Sequence, residues 1–163
     1  LFFGYTNCPD ICPGHLSILT GALEMPGMPQ PKVVFVTTDP ARDTPQRLRE
    51  WLDGFDEDFV GLTGTVEEIA AAEQAAFVAG SLRLDEDGNA VASEPVAGSA
   101  EAAADYEVGH AAQILAYTPD DQAHLAYPFG VRRQDWAEDL PRLLEEFPAG
   151  SSSASDSGTG SGS

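Results

Sequence analysis

An α/β fold is predicted by three observations. β-Branched or aromatic runs of strand length alternate with segments whose apolar residues recur at helical spacing, and this alternation repeats three times before residue 80. Proline and side-chain cap residues stand where the helices should begin. The runs themselves, such as Val33 to Val36, are far shorter than the ~18 apolar residues of a membrane span. Strands separated by helices of about a dozen residues pair in parallel through right-handed crossovers.

Leu1 to Tyr5 reads as a buried strand, followed by a loop, Thr6 to Pro13, with two prolines. Pro13 suits the first turn of a helix to about Met25, on which Leu16, Leu19 and Leu23 share a face. Lys32 to Thr38 is a near-continuous β-branched run, expected of a strand covered on both sides. After the turn Asp39 to Asp43, Thr44 and Pro45 supply an N-cap and a first-position proline for a second helix to about Phe55. A short strand at Phe59 to Leu62 precedes Thr65 and Glu68, a capping box that opens an Ala-rich helix to about Val78.

The pattern then changes. Ser81 to Leu84 is a short strand, Asp85 to Asn89 a turn, and Ala92 to Asp105 an acidic inserted loop of small residues. His110 to Tyr117 and Ala123 to Phe129 form a hairpin around Pro119 to Gln122. A last helix, Gln134 to Phe147, sets Trp136, Leu140, Leu143, Leu144 and Phe147 on one apolar face, with Pro141 expected to kink or restart it.

At 163 residues the chain fits one domain, 1–148, and a Ser/Gly-rich tail, 149–163, that has nothing to bury and is expected to be disordered. It opens at Leu1, without a Met or a basic leader, directly into a buried strand, so an upstream segment with any signal or anchor is expected to have been removed. The net charge of −19 repels phosphate backbones and anionic headgroups, which argues against nucleic acid and membrane surfaces as partners. A solvated acidic surface is the simplest reading of that charge.

Chemistry concentrates at the only two cysteines, Cys8 and Cys12, in the loop after the first strand. Sites in open α/β sheets form beyond the carboxyl ends of strands, and a helix N-terminus favours thiolate over thiol. Three roles compete: a structural disulfide, a thiol–disulfide redox couple, and two ligands for a soft metal. A disulfide closing so short a loop constrains the unfolded chain little. A redox couple more usually has two intervening residues, and here there are three. Structural zinc wants four ligands, whereas two cysteines with one of His15, His110 or His124 make a small sulfur-rich set that suits copper. His110, after Gly109 and far along the chain, is the expected third ligand; His15 reads as an exposed helical residue and His124 as an ordinary residue near a hairpin turn. Asp39, at the end of the second strand, is placed to hydrogen-bond to such a site, while Arg42 and Asp43 read as structural.

The stretch FGYTNCPDICP, residues 3–13, resembles the signature of the Sco/SenC proteins, copper-binding members of the thioredoxin-like superfamily. VTTDPARDTP, residues 36–45, resembles that family's second motif, and Gly109 and His110 through YPFG at 127–130 resemble its histidine-bearing strand pair. The resemblance implies a thioredoxin-like fold with a central mixed sheet flanked by helices. It also implies Cys8, Cys12 and His110 as copper ligands, and delivery of copper to the dinuclear centre of cytochrome c oxidase, on subunit II, or to another copper-accepting protein. A thiol-reductant role for Cys8 and Cys12, itself dependent on a thiol reductant, is implied too. So is a place on the extracytoplasmic side of a membrane, tethered by an N-terminal segment. One departure stands out: the family commonly has Asp before the histidine, where this chain has Gly109, leaving Glu107 or Asp105 as substitutes.

Overall fold

The computed structural model describes residues 1–85, 87–91, 98–99 and 106–148. Most of the acidic stretch 92–105, Asp105 included, and the tail 149–163 lie outside the described residues. Five strands form the main sheet: β1 (Phe2–Gly4), β2 (Val34–Thr37), β3 (Val60–Leu62), β7 (Gln113–Tyr117) and β8 (Ala123–Pro128), in the order β3-β2-β1-β7-β8. A second, three-stranded sheet has the order β5-β4-β6, with β4 at Leu82–Leu84, β5 at Ala90–Val91 and β6 at Glu107–Gly109. Four helices complete the described residues: α1 (Ile11–Leu23), α2 (Pro45–Leu52), α3 (Val66–Ala75) and α4 (Arg133–Glu146).

The expected parallel pairing is present. β1 pairs in parallel with β2, and β2 with β3, whereas β7 runs antiparallel to β1 and β8 antiparallel to β7, so the sheet is mixed. Successive side chains of β1 point to opposite faces. Phe2 packs with Phe35, Leu16, Leu48 and Trp136 under α1, α2 and α4, and Phe3 packs with Val36, Leu115 and Ala76 on the α3 side. Each buried Phe contributes about 1.5–3 kcal/mol of hydrophobic stabilisation, so the aromatic strand fixes both layers at once.

The helix starts follow their caps. The Thr44 hydroxyl accepts from the Arg47 N–H at 3.2 Å, and Thr65 and Glu68 form the reciprocal box. α3 stops at Ala75, before the expected Val78, because Phe77 takes a left-handed φ of 54° that an α-helix cannot absorb. α4 runs unbroken through Pro141, and Leu144 is half exposed on its flank while Trp136, Leu140 and Leu143 are buried. Among the described residues no helix is long and apolar enough to cross a membrane.

Two differences from the sequence reading bear on the site. β6 was not foreseen: its partner is β4, more than twenty residues earlier, and nothing local in residues 107–109 announces the pairing. His110 therefore does not open a strand; it follows β6 and sits at the junction between the two sheets, three residues before β7. His15 is not exposed but wholly buried, because its ring packs between Phe2 of β1 and Phe129 just past β8, edge-on to both at 5.4 Å.

Candidate metal centre

The cysteine spacing has a direct structural use. Asp10 occupies the N-cap position of α1 without a side-chain cap, and the free backbone N–H of Cys12 donates instead to Cys8 Sγ at 3.3 Å. The first sulfur thus caps the helix that carries the second in its first turn, where unpaired N–H groups and the helix dipole favour negative charge. Both cysteines are buried and free, Cys12 completely. Gly4 of β1 makes room for this packing: a Cβ there would come within 2.7 Å of Cys12 Sγ and 3.0 Å of the Phe35 ring.

His110 arrives from a distant part of the chain, 98 residues from Cys12. Its Nε2 lies 3.5 Å from Cys12 Sγ, and its Nδ1 lies 3.3 Å from the carbonyl oxygen of Ala111. In the tautomer whose Nδ1 proton is donated to that carbonyl, the Nε2 lone pair faces the sulfurs, the form a metal binds. Tyr5 and Phe2 pack edge-on against the ring at centroid distances of 5.7 and 6.2 Å. The ligand atoms of Cys8, Cys12 and His110 all lie within 4.8 Å of one another, the one such group of three among the described residues. Two soft sulfurs and one imidazole, half enclosed by aromatic rings, suit a soft cation of low coordination number.

The two thiols differ sharply in acidity. Cys8 is held far below the usual thiol range, chiefly by the neighbouring Cys12 thiol and with smaller help from His110 and the backbone N–H groups around it, against the opposing effect of burial. Cys12 is pushed up by the neighbouring Cys8 and by its own burial.

Of the other histidines, His15 has its pKa lowered chiefly by burial, and neither ring nitrogen makes a hydrogen bond of good geometry among the described residues. His124 pairs with Asp120 at 3.0 Å and stacks on Phe147. Neither belongs to the group of three. An apolar groove of about 510 Å³, lined by Leu19, Val34, Ile114, Trp136 and Leu140 among others, also contains none of these three residues.

Asp39 is buried but makes no hydrogen bond to a sulfur or to His110; its carboxylate accepts from the Tyr106 hydroxyl at 2.6 Å and pairs with Arg42. Asp43, read from sequence as a turn residue, does more. It is fully buried and accepts from the Thr6 backbone N–H at 3.0 Å, the Thr6 hydroxyl at 2.5 Å and the Thr37 hydroxyl at 2.7 Å, tying the cysteine loop to β2. Tyr106 is the residue that sequence reasoning missed altogether: it lies beside the acidic stretch, and its partners are more than sixty positions away. Gly109 has an ordinary strand conformation, and a Cβ there would make only normal contacts, so neither backbone freedom nor space demands glycine. Glu107 is exposed on β6.

Known proteins resemble this chain in sequence and fold. A putative copper-binding protein of Stutzerimonas stutzeri is 33% identical over 153 residues, covering 89% of this chain; the chain spans only 65% of that relative's length. The crystal structure of Arabidopsis thaliana ScoI with copper bound superposes with a TM-score of 0.70 at 26% identity, over 89% of this chain and 82% of that one. Copper-bound yeast Sco1 gives 0.71 at 28% identity, over 90% of this chain and 75% of that one. The fold is accordingly the thioredoxin-like one of these proteins. The SCO1/SenC family profile matches residues 1–145, from the first buried strand through the last helix, and the chain belongs to that family.

Proposed function

We propose that this protein is a copper chaperone that takes Cu(I) on Cys8, Cys12 and His110 and passes it to a copper-accepting protein. The observation that carries the reading is the convergence of two sulfurs and one imidazole nitrogen within 4.8 Å, from segments 98 residues apart. Copper-bound relatives of the same fold support the choice of metal.

The site suits capture and release. Cu(I) binds the dithiol and not a disulfide, so a thiol reductant must keep Cys8 and Cys12 reduced. The Cys8 thiolate is the charged first ligand, Cys12 loses its proton as the metal binds, and the Nε2 lone pair of His110 closes the set. With only three protein ligands, a partner offering further soft donors can enter and take the ion by ligand exchange. Family membership supports the dinuclear copper centre of cytochrome c oxidase, on subunit II, as the destination, and an extracytoplasmic location with a membrane tether.

A second reading, a thiol–disulfide oxidoreductase, is favoured by the unequal acidity of the two thiols. The Cys8 thiolate attacks a partner disulfide, one partner sulfur leaves as thiolate, and Cys12 then displaces the second. The partner leaves as a dithiol, two electrons richer, and Cys8–Cys12 is the disulfide.

Copper titration of the reduced protein separates the two. His110→Ala abolishes tight Cu(I) binding but leaves dithiol exchange largely intact, whereas Cys8→Ser and Cys12→Ser each lose both. Unchanged copper retention in His110→Ala overturns the ligand set.

A further inference from the structure

We infer that the turn between β2 and α2, residues Asp39 to Asp43, is a positioning brace that sets the separation of His110 from the cysteine loop; the inference rests on the copper reading above. Two arms leave this turn. In one, Asp43 holds both the backbone N–H and the hydroxyl of Thr6, two residues before Cys8, while the Thr37 hydroxyl anchors the same carboxylate to β2. In the other, the Tyr106 hydroxyl donates to Asp39 at 2.6 Å, Arg42 donates from Nη2 to the Tyr106 carbonyl at 3.0 Å, and the Arg42 guanidinium lies 3.5 Å over the Tyr106 ring while paired with Asp39.

Tyr106 immediately precedes β6, and His110 immediately follows it. On its far side His110 leads into β7, which the main-sheet ladder holds. On its near side β6 pairs only with β4 among the described residues, so no strand ladder links it to the turn after β2, although Val108 is buried in the main core. The Asp39–Arg42–Tyr106 contacts supply that link. Their burial is deliberate in physical terms: the Arg42 side chain is 6% exposed and its Nη1 has no hydrogen-bond partner among the described residues, a cost that an arginine free to reach solvent would avoid. Arginine is the side chain that can meet all three features, because its planar fork pairs with a carboxylate, reaches a carbonyl and stacks on an aromatic face together.

The test compares the wild type, Tyr106→Phe, Arg42→Lys and His110→Ala. Tyr106→Phe removes one hydroxyl and keeps the stacked ring; Arg42→Lys keeps the charge and loses the fork. Three quantities are read: amide hydrogen exchange of the copper-free protein at residues 107–111, Cu(I) affinity by competition with a chromogenic chelator, and nitrogen hyperfine coupling in the Cu(II) EPR spectrum. The brace predicts faster exchange confined to 107–111, Cu(I) affinity lowered by about tenfold, as for other groups that orient metal ligands, and weakened nitrogen coupling. Wild-type exchange, affinity and coupling in both variants overturn it, as does faster exchange spread evenly over the main sheet, which marks a merely structural role. If Arg42→Lys does not fold, Tyr106→Phe carries the test alone. Equal Cu(I) affinity of wild type and His110→Ala means that the copper reading has failed, and the exchange measurement on copper-free protein then still decides the brace.

Discussion

Cys8 and Cys12 face the same small space but hold their protons differently, and that asymmetry is open to measurement. Cys8 accepts from the Cys12 backbone N–H and lies beside the Cys12 thiol, and is held well below ordinary thiol pKa values, while its nearness and burial push Cys12 up. An ordinary cysteine, with a pKa near ~8.5, loses about tenfold in alkylation rate for each pH unit below that value. In reduced, copper-free protein the iodoacetamide rate at Cys8 should change by less than about threefold between pH 8 and pH 5.5, with Cys12 unmodified, as read by mass spectrometry of the labelled peptides. A tenfold loss per unit at Cys8 refutes the assignment. The cysteine pair was legible as the candidate site from its isolation in one loop, but the difference in acidity was not, since it depends on how the helix start sets the Cys12 N–H against Cys8 Sγ. His15 was misread for a related reason: a lone polar residue on a helix carries no sign of being covered on both sides.

At the scale of elements, β1 and α1 form the mount for the sulfurs. Gly4 lets the first turn of α1 approach the strand closely enough that Cys12 packs against the backbone and beside Phe35. Gly4→Ala should destabilise the protein by about 1–3 kcal/mol in urea unfolding, the usual cost of overpacking a core, and should lower Cu(I) affinity by displacing Cys12. An alanine variant with wild-type stability and affinity shows that this approach is not needed. The three strand–helix units, their caps and the β7–β8 hairpin were readable because their signals are local: β-branched runs, Thr44 with Pro45, and Thr65 with Glu68. β6 and the second sheet were not, because a three-residue strand has no period of its own and pairs across a long gap.

For the whole molecule, the decisive property is that the fold carries His110 from the seam of two sheets onto a cysteine pair at the start of the first helix. Spacing along the chain could not show this, since three histidines were available and their separation from Cys12 says nothing of proximity; the setting of His110 after Gly109 made it the expected one and the Sco/SenC resemblance agreed, and the sheet order explains it, with β7 bringing the residue alongside β1. The net charge of −19 adds a field that attracts a cation without choosing among cations, so selectivity falls to the ligand set. X-ray absorption of the protein loaded with one equivalent of Cu(I) is therefore the most direct test. Two sulfur scatterers and one imidazole nitrogen around copper, with the nitrogen lost in His110→Ala, are the predicted result; a shell without sulfur, or one in which that variant is indistinguishable from the wild type, would contradict it.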